Sequence, residues 1–173
     1  MREIIIIAGP NGAGKTSFAN EFLPSTDNEM FFVNADEIAR GLSAEPLSPA
    51  HRDLRAGRLM LQEIDRLVSI NAEFMFETTL ASLTYATRIP QWQANGYHVG
   101  LVYLRLPNVD ASIERVRRRV AAGGHNIPEN IVRRRFARSL ECLEQRYKPL
   151  VDEWYIYDSL EGDFKLAQAW NDA

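Results

Sequence analysis

Eight consecutive residues near the N-terminus match a sequence pattern that binds phosphate. Residues 9–16 form the sequence GPNGAGKT, which fits G-x-x-x-x-G-K-[ST] at every position, with an apolar run before it and a helical pattern after it. In such a loop the glycines let successive backbone N–H groups point at phosphate oxygens, and the N-terminus of the following helix adds its dipole. The pattern predicts that the chain binds ATP or GTP; the alternative is a glycine-rich turn that arose by chance.

The residues that we expect to contact the nucleotide form one run along the chain: Gly9, Pro10, Asn11, Gly12, Ala13, Gly14, Lys15, Thr16 and Ser17. Lys15 can reach the β- and γ-phosphates, so it is also a candidate catalytic residue. The Thr16 hydroxyl is a candidate ligand for Mg²⁺.

Two acidic residues follow predicted strands at the edge of the sheet where this loop is expected. Asp36 comes after the apolar run 31–35, and Glu77 closes the run 74–76. Because ligands of open α/β sheets bind at the carboxyl ends of the strands, both carboxylates are expected near the loop. Asp36 suits a base that accepts the proton of an acceptor hydroxyl, and Glu77 suits contact with a metal ion or with the acceptor.

Asp36 has a structural alternative, and two threonines after Glu77 have two possible roles. Asp36 is also a candidate N-cap for a short helix over residues 37–40, since aspartate is common at that position. Thr78 and Thr79 are candidates for a hydrogen bond to a substrate, and equally for satisfying the turn that follows the strand.

A block of basic residues is concentrated in one part of an otherwise acidic chain. The chain carries a net charge of −3, yet residues 105–148 contain eleven Lys or Arg against five Asp or Glu. The arginines lie on two predicted helices on either side of Gly123 and Gly124, which is typical of a lid that closes over phosphates. The lid candidates pair at helical spacing or lie beside such a pair: Arg115 with Arg119, Arg134 with Arg138, and Arg135. A solvated basic face and a groove for nucleic acid are the alternatives, and few aromatic residues support the latter.

The elements that must position these residues alternate along the chain. Strands are predicted over residues 4–8, 30–34, 74–77, 97–106 and 154–157. Helices are predicted over residues 15–22, ending at Pro24, and over 49–70, 83–94, 109–121, 128–147 and 164–170. This order indicates an α/β fold: a three-layer P-loop NTPase sandwich with a five-stranded, mostly parallel sheet and an arginine-rich helical lid over about residues 115–138. We expect one domain over residues 1–173.

Composition excludes several classes of protein. No apolar run approaches the roughly 18 residues of a membrane helix, and the N-terminus lacks the pattern of a signal peptide. Cys142 is the only cysteine, so no intramolecular disulfide can form. We therefore expect a cytoplasmic protein with no membrane partner, and the acidic net charge makes nucleic acid an unlikely partner.

An ordered set of short segments resembles the zeta toxin-like family of P-loop kinases, in particular its compact bacterial branch of predicted ABC-type ATPases. The matching segments are AGPNGAGKT at 8–16, NADEIA at 34–39, AGR at 56–58, FETTLAS at 76–82, RVRRRVAAGGHNIP at 115–128, RRRFARSL at 133–140 and YDS at 157–159. The resemblance implies an ATP-dependent kinase that phosphorylates a hydroxyl group of a small molecule, in zeta toxins a UDP-linked amino sugar. It also implies Mg²⁺ as a cofactor and raises the prospect of an antitoxin partner.

The resemblance also implies roles for particular residues. Asp36 is then the general base, Glu77 contacts the acceptor or the metal, and Thr79 contacts the acceptor. Arg119 and Arg134 bind phosphates as catalytic lid residues. Two roles for Arg58 are open, contact with an acceptor phosphate and a salt bridge to Asp36. Two other functions also remain open, a nucleotide-binding switch or slow ATPase that acts through a partner protein, and a kinase for nucleic-acid ends or nucleosides.

Overall fold

The computed structural model describes residues 1–22 and 30–171, and its centre is a single sheet. The strands are β1 (Arg2–Ala8), β2 (Phe31–Val33), β3 (Phe74–Thr78), β4 (Tyr97–Arg105), β5 (Glu153–Leu160) and β6 (Asp163–Ala169). Their order in the sheet is β2-β3-β1-β4-β5-β6, and the first five are parallel while β6 runs antiparallel to β5. The carboxyl ends of β1, β2 and β3 therefore lie at one edge.

Helices connect the parallel strands. They are α1 (Lys15–Phe22), α2 (Ala35–Gly41), α3 (Pro49–Ser69), α4 (Ile89–Ala94), α5 (Val109–Ala121) and α6 (Glu129–Cys142), and α6 continues into a π-helical turn (Leu143–Tyr147). Within the described ranges, no helix is both long enough and apolar enough to cross a membrane.

The core lies on both faces of β1, because the apolar run of that strand has no polar interruption. On one face Ile4 and Ile6 join a cluster with Phe74 and Phe76 that is covered by α3 and α4. On the other face Ile7 packs with residues that include Phe18 of α1 and Leu104 of β4. This two-sided burial fixes β1, and with it the loop that follows β1 at the carboxyl edge.

The α/β fold and its parallel strands are confirmed, but the prediction of five strands and a final helix is wrong. Residues 164–170 were expected to be helical, whereas residues 163–169 form β6, a sixth strand. Gly162 adopts a positive φ of 77°, which permits the tight turn between β5 and β6. β5 would otherwise leave a row of unpaired backbone groups along its edge, and pairing with β6 satisfies them.

Two further local expectations need correction. Asn34, not Asp36, is the N-cap of α2, because the Asn34 side chain accepts hydrogen bonds from the backbone N–H groups of Asp36 (2.8 Å) and Glu37 (3.4 Å). The helix expected over residues 83–94 is shorter than predicted and begins at Ile89, where a proline at its start favours a helix N-terminus. The predicted end of the first helix at Pro24 lies outside the described residues.

A buried hydroxyl pair joins α6 to the sheet. Tyr103 of β4 and Ser139 of α6 are both fully buried, and their hydroxyl oxygens are 2.8 Å apart. Burial raises the pKa of Tyr103 to about 12, so the phenol stays protonated. The pair therefore fixes the position of the second arginine-bearing helix relative to β4.

We expect Ser139→Ala to lower the free energy of unfolding by about 1–3 kcal/mol, because it leaves the buried Tyr103 hydroxyl without its partner. Urea denaturation measures the change. The double variant Tyr103→Phe with Ser139→Ala removes both hydroxyls and should recover part of the loss. Equal losses in the single and double variants would show that the hydroxyl pair does not position the helix.

Candidate functional site

The phosphate-binding sequence forms the loop between β1 and α1, and α5 packs directly against it. Gly12 has a φ of +82°, and a Cβ atom at this position would lie 2.8 Å from the Cβ of Arg115 on α5. Only glycine fits such a contact without displacing the helix. Arg115 also donates hydrogen bonds to the Gly12 carbonyl (3.3 Å), the Ser159 hydroxyl (2.7 Å) and the Ser159 carbonyl (2.9 Å). The loop is therefore clamped between α5 and the end of β5.

Lys15 is a half-buried cation at the end of this loop. Its ammonium donates hydrogen bonds to the carbonyls of Gly9 and Pro10, each at 3.1 Å. Burial lowers the pKa of Lys15, while the carboxylates of Glu77 and Asp36 oppose that shift. The ammonium thus lies within electrostatic range of both acids that the sequence singled out.

Glu77 lies beside the first helix because β3 pairs with β1, with Glu77 opposite Ile7 in the register. The Thr16 hydroxyl donates a hydrogen bond of 2.9 Å to the Glu77 carboxylate. Burial raises the pKa of Glu77, against the effect of the Lys15 charge and the Thr16 hydrogen bond. A hydroxyl and a carboxylate oxygen side by side match the oxygen ligands that Mg²⁺ prefers.

A cleft of about 1180 Å³ lies between the loop, α2, α3 and the hairpin formed by α5 and α6. Six of the nine expected nucleotide contacts line it: Asn11, Gly12, Gly14, Lys15, Thr16 and Ser17. Gly9, Pro10 and Ala13 are buried behind them. Asp36, Glu77 and Thr79 line the same cleft, so the structure brings together the loop, both acids and the threonine.

Asp36 lies in the first turn of α2 and lines the cleft. Its backbone N–H bonds to the Asn34 cap, which leaves its carboxylate free for other contacts. Among the described residues, none donates a hydrogen bond or forms an ion pair to that carboxylate within the usual distances. Asp36 therefore has the freedom that a base or a substrate ligand requires.

The eight arginines of α5 and α6 divide into two groups. Three arginines form ion pairs outside the cleft: Arg117 with Glu129, Arg118 with Glu114 and Glu161, and Arg133 with Asp110 and Glu129. These three fit the alternative of a solvated basic face. Five others line the cleft: Arg115, Arg119, Arg134, Arg135 and Arg138. All five lid candidates from the sequence are in this second group.

The five cleft arginines differ in how much they are committed to protein contacts. Arg115 holds the loop, and Arg138 pairs with Glu141 at 2.8 Å. Arg119 donates a 3.4 Å hydrogen bond to the His125 carbonyl, but its Nε is buried with no hydrogen-bond partner in the described structure. Buried, unpaired donors are rare, so the Arg119 guanidinium keeps hydrogen-bonding capacity that the described protein does not use.

Two residues that the sequence suggested as contacts of the acceptor are placed differently in the structure: Arg58 lies outside the cleft, and Thr78 hydrogen-bonds within its own turn. Arg58 is exposed, does not line the cleft, and forms no ion pair with Asp36 in the described structure. Thr78 satisfies the turn, because its hydroxyl accepts a 3.0 Å hydrogen bond from the Leu80 N–H. Leu80 has a φ of +60° and is buried, so this turn is strained and held by its surroundings.

Helix α3 contributes residues to the cleft that the sequence did not single out. Ala50, Asp53, Gly57 and Met60 line it at spacings of three and four residues, which places them on one face of the helix. The signal in the sequence was this helical spacing, with a small residue at two of the four positions. Arg58, by contrast, is about 100° around the helix from Gly57, which explains its position outside the cleft.

Comparisons with known proteins find a family model and a relative of similar sequence. The model of the Zeta toxin family matches residues 2–161. A protein of Haemophilus influenzae, described as uncharacterized, is 29% identical over 132 residues, which are 76% of this chain and 91% of that protein.

Two solved structures have the same fold. The complex AvrRxo1-ORF1:-ORF2 with ATP contains a chain with a TM-score of 0.75 and 16% identity, covering 98% of this chain and 58% of that one. The PezAT toxin-antitoxin system of Streptococcus pneumoniae gives a TM-score of 0.71 and 17% identity, covering all of this chain and 73% of that one. This chain thus spans little more than half of the AvrRxo1 chain.

We expect Lys15→Ala to abolish measurable ATP binding or turnover, because it removes the cation at the end of the phosphate loop. Isothermal titration with ATP and an ADP-release assay measure the two effects. Lys148→Ala is the matched control, since Lys148 pairs with Glu144 (2.7 Å) and stacks over Trp154 away from the cleft. Unchanged ATP binding and turnover in Lys15→Ala would contradict the assignment of the loop.

Proposed function

The chain belongs to the zeta toxin family of ATP-dependent phosphotransferases, and from that premise we propose that it transfers the γ-phosphate of ATP to a hydroxyl group of a small molecule. One observation carries the proposal: the loop with Lys15 and the free carboxylate of Asp36 line the same cleft. A donor site and an acceptor-side base facing one space are what phosphoryl transfer to a hydroxyl requires.

The donor half of the proposed site binds the triphosphate. Backbone N–H groups of the loop and the N-terminus of α1 attract phosphate oxygens. The Lys15 ammonium moves from the Gly9 and Pro10 carbonyls to the β- and γ-phosphates. The charged phosphate oxygens are stronger hydrogen-bond acceptors than the neutral carbonyls. The clamp between Arg115 and Ser159 supports this role, because it keeps the loop in shape without needing the nucleotide.

The acceptor half of the proposed site removes one proton. The acceptor oxygen attacks the γ-phosphorus, the bond from that phosphorus to the β–γ bridging oxygen breaks, and ADP leaves with the bonding electron pair. Asp36 accepts the proton of the attacking hydroxyl. Its unpaired carboxylate in the first turn of α2 supports this role, since a base committed to an ion pair would be a weaker one.

We propose that the α5–α6 hairpin closes over the phosphates as a lid, within a single kinase domain over residues 1–173. Arg119 and Arg134 are the proposed catalytic arginines, because charge accumulates on the phosphoryl group during transfer and guanidinium groups stabilise it. The unpaired Nε of Arg119 supports its assignment. Closure also excludes water, which would otherwise compete with the acceptor for the γ-phosphate.

Thr16 and Glu77 are the residues that would hold Mg²⁺, directly or through its water ligands. When bound, the ion neutralises charge on the β- and γ-phosphates. The described residues contain no group of three or more His, Cys, Asp or Glu side chains suited to a metal. A phosphate-bound Mg²⁺ needs no such group, because phosphates and water supply most of its ligands.

The competing functions receive less support from the geometry. A switch or slow ATPase needs only a positioned water, and would leave the free carboxylate of Asp36 and the wide space beside it without a role. A kinase for nucleic-acid ends would need a basic surface leading to the cleft, yet Arg117, Arg118 and Arg133 are neutralised by ion pairs.

The acceptor and the partners are the finer parts of the proposal. Family resemblance points to a UDP-linked amino sugar as the acceptor. An antitoxin partner is proposed because one structural neighbour is described as part of a toxin-antitoxin system. The cytoplasm is the proposed compartment, where ATP is available and where the buried Cys142 remains a thiol.

We expect Asp36→Asn to lower phosphoryl transfer by about 10² or more, because the amide cannot accept the proton. The KM for ATP should stay within about twofold, since Asp36 does not belong to the phosphate loop. Coupled ADP assays with product detection by mass spectrometry measure both. Transfer at the rate of the unaltered protein would mean that Asp36 has only a structural role in α2.

Gly57→Leu tests the position of the acceptor. A side chain at Gly57 meets open space within the cleft, so the variant should fold normally and raise the acceptor KM by about tenfold or more, with the KM for ATP unchanged. Gly41→Leu is the matched control, because Gly41 also has open space around it but does not line the cleft. If both variants behaved alike, the acceptor would have to bind elsewhere.

A further inference from the structure

The lysine and arginine side chains that line the cleft all lie on one side of it, where Glu77 is the accompanying acid. All its lysine and arginine side chains come from the phosphate loop or from the α5–α6 hairpin: Lys15, Arg115, Arg119, Arg134, Arg135 and Arg138. The opposite side, which we call the acceptor wall, consists of the cleft-lining residues of α2, α3 and segment 79–85. Of the described residues on this wall, none is a lysine, arginine or histidine, and Asp36 and Asp53 are both acidic.

This division does not follow from composition, because α3 contains four arginines. Arg52, Arg55, Arg58 and Arg66 are all outside the cleft lining. Arg55 pairs with Glu45, and Arg66 pairs with Glu63 at 2.6 Å. The single charged residue that α3 turns towards the cleft is Asp53.

Asp53 is available to a ligand. Its carboxylate lies 3.9 Å from Nε2 of His125 in the loop between α5 and α6, and within the described residues it has no closer ion pair. The rest of the wall consists largely of small or apolar side chains, such as Ala39, Ala56 and Met60. A ligand on this wall therefore meets apolar surface and two carboxylates.

From this arrangement, and resting on the kinase function proposed above, we infer that the acceptor is a hydroxyl compound that carries an ammonium group and no phosphate. Asp53 binds the ammonium group, and Asp36 accepts the proton of the neighbouring hydroxyl. A phosphate-bearing acceptor would be repelled by both carboxylates and would find no cation on the wall.

The hairpin cations do not replace the missing positive charge on the wall. Arg115 is committed to Gly12 and Ser159, and Arg138 to Glu141. Arg119 and Arg135 lower the pKa of Lys15, which places them near the donor loop, and Arg134 is assigned above to the transferred phosphoryl group. Their natural ligand is therefore the triphosphate of ATP. This inference departs from the UDP-linked sugar that family resemblance implies, because a diphosphate needs cations of its own.

Fractionation of a bacterial metabolite extract tests the charge of the acceptor. The extract is separated by ion exchange into cationic, neutral and anionic pools, and each pool is incubated with the protein and Mg-ATP. Mass spectrometry then identifies compounds that have gained one phosphate. We expect the product only in the cationic pool. A product from the neutral or anionic pool, including a phosphorylated UDP-sugar, would overturn the inference while supporting the kinase function. ADP formation without a phosphorylated compound in any pool would overturn both.

Kinetics with the acceptor from the cationic pool then test Asp53. Asp53→Asn should raise the acceptor KM about ten- to a hundredfold, the effect of losing one charge-assisted hydrogen bond, with the KM for ATP unchanged. Asp53→Glu keeps the charge and should lose less. Asp65→Asn is the matched control, because Asp65 lies on the same helix, pairs with Arg88 and does not line the cleft. An acceptor KM unaffected by Asp53→Asn would exclude Asp53 from recognition.

Discussion

A half-buried lysine ammonium, just beyond the carboxyl end of β1, is the charge around which the two acids of the cleft are placed. A charge removed from water must be compensated, and Lys15 is compensated by two loop carbonyls and by the carboxylates of Glu77 and Asp36. Those carboxylates come from β3 and from the helix after β2, so β1, β2 and β3 must be neighbours with parallel direction. The sheet order β2-β3-β1 meets that requirement.

The phosphate loop keeps its shape because other elements hold it from outside. α5 approaches so closely that Gly12 has no room for a side chain, and Arg115 links the loop to Ser159 at the end of β5. The Ser159 hydroxyl in turn donates a 2.8 Å hydrogen bond to the Ala13 carbonyl. Elements from the first and last thirds of the chain therefore define one site. A prepared loop of this kind loses little conformational entropy when a ligand binds.

The division of charge across the cleft connects the fold to substrate choice. Arginines on the α5–α6 hairpin, together with Lys15, attract phosphates on one side. The opposite side carries carboxylates and small side chains, although its long helix contains several arginines on other faces. The rotation of α3 about its own axis, set by the packing of Ile64 and Leu67 in the core, decides which of its residues meet the substrate.

The sequence by itself determined the parts that depend on local chemistry. The loop motif, the buried first strand and the periodic helices are local patterns, and they led to the α/β fold, the phosphate loop and the expectation that Asp36 and Glu77 face it.

Tertiary structure decided what depends on contacts between distant segments. Residues 163–169 became a strand because the edge of β5 required a partner, which outweighed a weak helical pattern. Arg115 became a clamp, Arg58 remained outside the cleft, and Asp53 entered it, because the packing of α5 on the loop and of α3 on the sheet fixes the direction of each side chain. Spacing along a helix shows which residues share a face, but only packing selects the face that meets the site.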